Sequence, residues 1–474
     1  MRISRRTLFA GAGAGALAVL LASCTGDDPR PGPTEPPEPT ASPEPLGEVP
    51  AAAAFVRTQW AEDPFAHGAR SVTPAGSSPV DREAIARPIA DRVFLSGEAT
   101  SADKPGTIAG AIESGEAAAA ALLERAEPGE RIAVIGAGLA GSAAARGLVE
   151  ADRGLDLTVF EAREHTGGRM VSHVDEEEWP IPPQLGAWIV ADDADLAARF
   201  AVLGVGTVPV GEQTARTADG EAEMPDRDLL AKAIERAASE PSDLTLDEAL
   251  EGAGADDSDE LDALRAAIAA LTGADPATAS SWFPVALPGS DLLAAVSDVA
   301  PLTETVLGDT EVTFSSPVSG VVYDDTGVSL RLATGEALTF DRVVVTVPLG
   351  VLQADAIEFE PPLPLEIRSA ISALEMGQIE TIWLRFDEPF WTTEAGLWHL
   401  VGPVGDVEET PEDEGEEDGE DPPPVVRTWV NLMPSTGEPI LVGVIGGPDA
   451  ARFAALDDDE ALTLASTALQ AFAA

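Results

Sequence analysis

The chain has 474 residues, of which 45% are hydrophobic, so it can build a globular fold with a sizeable core. Its formal net charge of -55, from 83 acidic and 28 basic residues, argues against nucleic-acid binding, because phosphates would be repelled. A single cysteine and the lack of a Cys/His cluster exclude an internal disulfide and give no prediction of a metal site.

The amino terminus predicts export and lipidation. Arg5 and Arg6 precede an apolar run of about 15 residues, too short to span a bilayer, which is typical of a twin-arginine signal. The run ends in Leu-Ala-Ser followed by Cys24, which resembles a lipobox; an ordinary cleaved signal peptide is the alternative. We therefore expect residues 1–24 to be the signal. The mature protein would then be anchored through lipidated Cys24 on the outer face of the bacterial cytoplasmic membrane.

Composition and periodicity divide the rest of the chain. Residues 25–55 are rich in Pro and Glu and predict an extended tether, and residues 405–424 predict an acidic, disordered surface insertion. Apolar runs predict strands at 131–135, 155–160 and 342–347. Helices are predicted from Gly138 to about Glu150, from Gly110 to about Glu127, and as several short helices between 226 and 275. This alternation indicates an α/β core.

A dinucleotide-binding fingerprint follows the first of these strands. Gly136, Gly138 and Gly141 have the GxGxxG spacing and open a helix, whose amino-terminal end would hold a pyrophosphate. Glu161 lies 20 residues further on, at the end of the next predicted strand, where a carboxylate binds a ribose hydroxyl and disfavours NADP. A glycine-rich turn without this role is the alternative.

Five further motifs carry a resemblance to a known family. Residues 161–170 (EAREHTGGRM) resemble the double-glycine extension of FAD proteins of the glutathione-reductase-like superfamily. Residues 185–188 (LGAW) resemble the flavin-side turn of the flavin-containing amine oxidases. Residues 345–352 (VTVPLGVL), 359–364 (FEPPLP) and 386–391 (FDEPFW) resemble that family in order and spacing.

The motif expected to close the family's sequence lies at the front of this chain. It is formed by residues 60–64 (WAEDP), 68–71 (GARS), 94–100 (FLSGEAT) and 110–115 (GAIESG), all before the fingerprint. The resemblance therefore runs from residue 56 to 474 with its last segment moved to the start. A circular permutation explains this order, and a scrambled or fused gene is the alternative.

The resemblance implies a Rossmann-like FAD-binding domain interleaved with an α+β substrate domain. The FAD-binding parts would be residues 56–190 and 286–347, and the substrate parts would be the helical 191–285 and 348–474. FAD would be bound without a covalent link, because no cysteine lies near the closing motif. Its implied ligands, with Val318 at the adenine, are Gly97, Glu98, Thr107, Ile108, Gly136, Gly138, Leu139, Ala140, Gly141, Glu161, Ala162, Arg163, Gly168, Arg169, Gly186, Ala187 and Val318.

The implied reaction is hydride transfer from an amine to flavin N5, with imine hydrolysis and O2 reduced to H2O2. The lysine that many family members place near N5 is replaced by Gln353 or Glu360, so Lys104 is the candidate substitute. The aromatic cage for the amine is replaced by Arg70 and Thr107. An arginine there favours a substrate with a carboxylate, such as an amino acid, unless Arg70 points to solvent or pairs with an acid.

Three functions stay open on these residues. The first is FAD-dependent oxidation of an amine or amino acid, and the second is a desaturase-like oxidation with the same cofactor. The third is a non-catalytic, FAD-binding surface lipoprotein. The acidic surface either attracts cationic substrates or only keeps the protein soluble.

Overall fold

The computed structural model describes residues 47–191, 194–284, 287, 292–404 and 422–473. They fall in one compact unit, Pro45–Ala474. The predicted signal peptide, the tether as far as residue 46 and residues 405–421 of the acidic insertion lie outside the described residues.

The strands, in chain order, are β1 Ala54–Arg57, β2 Arg70–Val72, β3 Val93–Leu95, β4 Arg131–Ile135, β5 Asp156–Phe160, β6 Ile189–Ala191, β7 Thr207–Pro209, β8 Gln213–Thr217, β9 Gly220–Glu221, β10 Leu292–Ala295, β11 Val312–Thr313, β12 Val318–Tyr323, β13 Val328–Leu332, β14 Ala337–Phe340, β15 Arg342–Val345, β16 Glu358–Glu360, β17 Glu375–Gly377, β18 Ile379–Arg385, β19 Leu397–Leu400, β20 Thr428–Asn431 and β21 Ile440–Gly446.

The α-helices are α1 Pro79–Ile85, α2 Ile108–Leu123, α3 Leu139–Glu150, α4 Ala194–Leu203, α5 Arg227–Ala237, α6 Leu246–Gly252, α7 Asp259–Thr272, α8 Ala300–Leu307, α9 Leu349–Gln353, α10 Leu365–Ala373, α11 Met433–Thr436, α12 Gly447–Ala454 and α13 Asp458–Leu469. Short 3-10 turns span Glu98–Thr100 and Gln470–Phe472.

A parallel five-stranded sheet in the order β11-β5-β4-β15-β3 forms the first core. Both faces of this sheet are buried, which explains why β15 reads as an unbroken apolar run after its first residue. Phe94, Val134 and Val344 face α2 and α3 on one side. Alternate residues of the same strands face the β12–β14 sheet on the other side. The α/β prediction and its three strands are confirmed, within one or two residues at their ends.

A second, seven-stranded sheet has the order β1-β18-β21-β20-β19-β8-β9. It is mainly antiparallel, with one parallel pair between β8 and β19, and α7 packs against β21 and β18. Trp383, Trp398 and Trp429 are fully buried on its strands and belong to its core. Trp282, in the segment after α7, is 39% exposed instead.

Two predicted boundaries are wrong. The tether does not reach residue 55, because Val49 and Ala52 pack against the core of the seven-stranded sheet and Ala53 donates a backbone hydrogen bond to Arg385. The FAD-binding part does not begin at residue 56, because β1 pairs with β18 in the substrate sheet. The two domains are interleaved more finely than predicted. The strand β16 belongs to the 348–474 segment, which was assigned to the substrate domain, but it pairs with β12 of the 286–347 segment.

None of the described helices has both the length and the apolar character needed to cross a bilayer.

Candidate FAD-binding site

The glycine loop connects β4 to α3 as the fingerprint predicts. Gly136 has a positive φ of 101°, which a side chain disfavours, and a Cβ at Gly141 would clash with the Gly136 carbonyl oxygen. Gly138 caps α3, and no heavy atom lies closer than 3.8 Å to the position of a Cβ there. The loop is therefore open at Gly138, where the first turn of α3, including Leu139 and Ala140, offers the positive end of the helix dipole.

Glu161 lies at the carboxyl end of β5, beside this loop. Its side chain is buried and accepts hydrogen bonds from the backbone N–H of Ala137, at 2.7 Å, and of Arg163, at 2.9 Å. The carboxylate therefore holds the glycine loop against the segment that begins with Ala162. Each oxygen accepts one of these bonds, which leaves acceptor capacity for a ribose hydroxyl.

The double-glycine segment contacts both the fingerprint and the flavin-side turn. Gly167 donates a backbone hydrogen bond to Ala137 and forms a β-bridge with Gly138. Ala187 donates to the Arg169 carbonyl at 3.0 Å, and a Cβ at Gly186 would clash with that same carbonyl. Three motifs that are separate in the sequence thus form one continuous surface.

Val318, the residue expected at the adenine, follows a segment that is hydrogen-bonded to the Glu161 region. Val318 begins β12 and is only 8% exposed. The residues before it are tied to the double-glycine segment, since Ser315 donates to the Arg163 carbonyl and Ser316 to the Glu161 carbonyl. Val318 is thus near the expected adenine end but sits in the core between the two sheets.

Glu98 is the centre of a buried network of charges. It follows Gly97, whose φ is 141°, and accepts hydrogen bonds from the Ser71 hydroxyl at 2.6 Å, Gly106 N–H at 2.8 Å and Arg169 Nη1 at 3.0 Å. Burial alone would raise the pKa of Glu98, but Arg169 and Ser71 outweigh it and hold that pKa below its usual value. The ionised carboxylate joins the turn before α2 to the double-glycine segment and so fixes these two segments relative to each other.

The turn before α2 contains the residues predicted to act in catalysis. Thr107 caps the helix: its hydroxyl accepts from Gly110 N–H at 3.0 Å and donates to the Lys104 carbonyl at 2.9 Å. The cap explains why α2 begins at Ile108 and not at Gly110. Because the hydroxyl proton is already donated, Thr107 can offer a ligand one remaining acceptor lone pair but no donor from its side chain.

Lys104 does not have the environment of a catalytic lysine. Its ammonium pairs with Glu113 of α2 at 2.5 Å, and both side chains are about half exposed. An ion pair of this kind at the surface leaves the ammonium in contact with solvent. The expected role of Lys104 as a substitute for the family's lysine is therefore not supported by the structure.

Several contacts of the site carried no signal in the sequence. Asp63 pairs with Arg163 at 2.6 Å, and Arg82, which is 1% exposed, donates to Ser71 and Thr73 beneath Glu98. Burial lowers the pKa of Arg82 to about 10. On β18, Trp383 packs against Trp188 with ring centroids 5.0 Å apart. These contacts join segments far apart in the chain, so local patterns did not reveal them.

The residues present fit an elongated dinucleotide such as FAD. The surface runs from Glu161 past Gly138 and the double-glycine segment to the amino-terminal end of α2. Of the buried polar side-chain atoms without a hydrogen-bond partner within the described chain, three belong to residues that contact these segments: Thr303 Oγ1 near Gly167, Arg70 Nε near Gly106 and Trp383 Nε1 on the ring packed against Trp188. Buried polar atoms are rarely left without partners, so these mark a place where a ligand or water supplies them.

A groove and a cluster of possible metal-ligating side chains lie elsewhere on the described protein. A groove of about 370 Å³, lined by Arg131, Tyr323 and Phe340, is at the amino-terminal end of β4, opposite to the glycine loop. His173, Asp175 and Glu178 have ligand atoms within 4.8 Å of one another, but all three are exposed and no second feature indicates a metal site.

The fold and the site together define a dinucleotide-binding flavoprotein oxidoreductase. The family model described as flavin containing amine oxidoreductase matches residues 43–123 and 291–474, and the one described as NAD(P)-binding Rossmann-like domain matches 134–199. The chain therefore belongs to the flavin-containing amine oxidoreductase family, whose members are FAD-dependent enzymes.

Individual proteins similar to this chain carry names consistent with this family. Polyamine oxidase 4 of Oryza sativa subsp. japonica is 26% identical over 380 residues, which cover 72% of each chain. Probable polyamine oxidase 4 of Arabidopsis thaliana is 28% identical over 373 residues, covering 69% of this chain and 68% of that one. A putrescine oxidase solved with putrescine shares the fold, with a TM-score of 0.53 at 18% identity, over 73% of this chain and 82% of that chain.

Proposed function

We propose that the protein oxidises the carbon–nitrogen bond of an amine or an amino acid and uses O2 as the final acceptor. The substrate carbon loses a hydride and the nitrogen a proton, the imine is hydrolysed, and O2 is reduced to H2O2. FAD, when bound, supplies the two-electron acceptor that links these half-reactions. The observation that carries the proposal is that the Gly138, Gly168 and Gly186 segments contact one another, and Glu98 joins them to the turn before α2, in a member of this family.

The chain's own residues bind and orient the cofactor and shield the reacting centre. Gly138 and the first turn of α3 offer backbone N–H groups to phosphates, and Glu161 fixes that loop from behind. The Trp188–Trp383 pair supplies an apolar wall on β18, beside the partnerless Thr381 hydroxyl. Water exclusion by such a wall strengthens every polar contact made within the site.

The test is to purify residues 25–474 and record the visible absorbance, then add amines and amino acids without oxygen. Flavin bands that bleach with one class, followed by H2O2 on admitting air, are expected. A yellow protein that no amine or amino acid bleaches would overturn the proposal and favour desaturase-like chemistry. A colourless protein, even after reconstitution, would show that the segments do not form the site.

We also propose that the chain is a circular permutation of its family. Two features of the fold support it. The link between α2 and β4 spans only residues 124–130, and the two ends of the described chain pack in one core cluster, where Val49 and Ala52 accompany Ala471 and Phe472. A cut in this link and a short join between residues 473 and 47 would restore the family's order.

We further propose that the protein is exported through the twin-arginine route and anchored by lipidated Cys24. The support is the order of Arg5, Arg6, the apolar run and Leu-Ala-Ser-Cys24, followed by a Pro- and Glu-rich segment. A folded-state export route suits a protein that takes up FAD before it leaves the cytoplasm.

A further inference from the structure

The side chain of Arg70 occupies space that is available only because two neighbouring residues are glycines. Arg70 begins β2, and its side chain passes Gly273 at the end of α7 and reaches Gly106 in the turn before α2. A Cβ at Gly273 would stand 3.2 Å from Arg70 Cγ, and one at Gly106 would stand 2.5 Å from Arg70 Nε. The guanidinium is thus held beside the amino-terminal end of α2, at one end of the cofactor surface.

The guanidinium of Arg70 has almost no partners in the protein. Its Nη2 donates one long hydrogen bond, 3.3 Å, to the Pro105 carbonyl, while its Nε is buried and has none. No carboxylate of the described chain lies within 4.0 Å of it, although this chain has 83 acidic residues. Arg70 as a residue is half-buried, but its Nε is buried without an acceptor, so a partner for that atom is expected from outside the chain.

The charged side chains around Arg70 have a net positive charge, which an anionic ligand would neutralise. Arg70, Arg82 and Arg169 lie near two carboxylates, the buried Glu98 and Asp81 beside Arg82, which leaves one positive charge in excess, three minus two. Arg82 donates to Ser71, Thr73 and the Ala99 carbonyl, and Arg169 donates through Nη1 to Glu98 and the Ala69 carbonyl. Arg70 differs from the other two in having a buried Nε without an acceptor and only one long hydrogen bond, and its planar fork matches a carboxylate.

We propose that Arg70 binds the carboxylate of the substrate, so the enzyme acts on an amino acid in preference to a polyamine. The inference rests on the proposed oxidation of a carbon–nitrogen bond and names its substrate class. A polyamine would bring a second positive charge next to an unpaired guanidinium, whereas an amino acid brings the charge that the cluster lacks.

The test compares amines that differ only in the carboxylate. The holoenzyme is mixed without oxygen with leucine or 3-methylbutylamine, and with ornithine or putrescine, and the rate of flavin bleaching is recorded. We expect each amino acid to exceed its decarboxylated partner by at least 100-fold in the bimolecular rate constant. Arg70→Met should remove most of this ratio and Arg70→Lys should keep an intermediate part, because lysine retains the charge but loses the fork.

A binding measurement makes the result independent of turnover. Titration of the holoenzyme with 4-methyl-2-oxopentanoate, the 2-oxo acid of leucine, should perturb the flavin spectrum, and its Kd should rise by 30-fold or more in Arg70→Met. Its methyl ester, which has no charge, should bind both proteins equally. Equal FAD content and Tm in wild type and variant show that the site is intact.

Three outcomes would overturn the inference. Bleaching by putrescine and 3-methylbutylamine but not by their amino acids would leave the proposed function standing and place the substrate among simple amines. An unchanged Kd for the 2-oxo acid in Arg70→Met would remove the carboxylate contact, even if no substrate is oxidised. Loss of FAD from Arg70→Met, with the fold retained, would assign the guanidinium to the cofactor.

Discussion

Asp63 Oδ2 lies 2.6 Å from Arg163 Nη2, in an ion pair whose side chains are 25% and 16% exposed. The pair joins the turn after β1 to the segment after Glu161, which are 100 residues apart in the chain. Arg163 also lies over the ring of Phe65, 5.3 Å from its centroid. One side chain therefore fixes the front segment of the chain against the cofactor surface.

Arg163→Met is expected to weaken FAD binding about tenfold, since loss of one partly buried, charged hydrogen bond costs on the order of 1.4 kcal/mol. The measurement is the FAD dissociation constant from quenching of flavin fluorescence. Arg236→Met is the control, because its pair with Glu240 is exposed at 50% and 36% at the end of α5, which contributes no residue to the cofactor surface. Equal losses in both variants would contradict a specific role for the Asp63–Arg163 pair.

Gly138 and Gly141 are expected to respond differently to alanine. Gly141→Ala drives a Cβ into the Gly136 carbonyl and should leave little folded protein. At Gly138 a Cβ meets no atom within 3.8 Å, so Gly138→Ala should fold with an apoprotein Tm within about 2 °C of wild type. It should still lose at least tenfold in FAD affinity, because the methyl group occupies the side open to a phosphate. Normal FAD binding by Gly138→Ala would refute that approach.

The pH dependence of stability is expected to reflect Glu380. This residue of β18 is fully buried, accepts from the Thr58 hydroxyl at 2.5 Å and Ala61 N–H at 2.9 Å, and burial raises its pKa to about 7. The folded state keeps a proton that the unfolded chain loses above about pH 4.5. The free energy of unfolding should therefore fall between about pH 4.5 and 7, by roughly 3 kcal/mol in all.

Glu380→Gln should remove that slope and raise the stability relative to wild type above pH 7, measured by urea unfolding at several pH values. His399, whose pKa burial lowers to about 4, gives the opposite slope between about pH 4 and 6.5 in both proteins. The difference between the two proteins therefore isolates Glu380. A constant difference from pH 5 to 8 would show that the carboxyl group does not titrate in this window.

A gene in the family's order should encode the same enzyme. In this variant the chain is opened between Pro128 and Gly129, and residue 473 is joined to residue 47 through a short Gly/Ser linker. We expect an unchanged flavin spectrum and a Tm within a few degrees, because permutation at exposed links preserves the core. The acidic insertion 405–421 is retained in both proteins. Insoluble protein from the reordered gene, with soluble protein from the natural order, would contradict the permutation.

Export and anchoring are expected to depend on separate residues. Cys24→Ala should release the protein from membranes while leaving it outside the cytoplasm, and Arg5→Lys with Arg6→Lys should retain it inside. Fractionation with an antibody to the enzyme, together with labelling by a fatty acid, measures both effects. Membrane retention of Cys24→Ala at the wild-type level would rule out Cys24 as the anchor.

The parts of the fold that were predictable from sequence are those with local causes. The β4–α3–β5 unit follows from an apolar run, three spaced glycines and Glu161, and the structure has each of these in its predicted place. The Glu98 network was out of reach, because it joins Ser71, Arg82 and Arg169 through contacts of 11 to 71 residues in separation. β1 was missed for the same reason: its four residues become a strand only by pairing with β18.

The position of β15 has a consequence for the order in which the protein can fold during synthesis. β3, α2, β4, α3 and β5 all lie within residues 93–160, and α2 packs on α3 across the short link, so this unit can gather early on the ribosome. The strand between β3 and β4, however, is β15, at residues 342–345. Until about 180 further residues have been translated, the facing edges of β3 and β4 stay unpaired and open to capture by a second nascent chain.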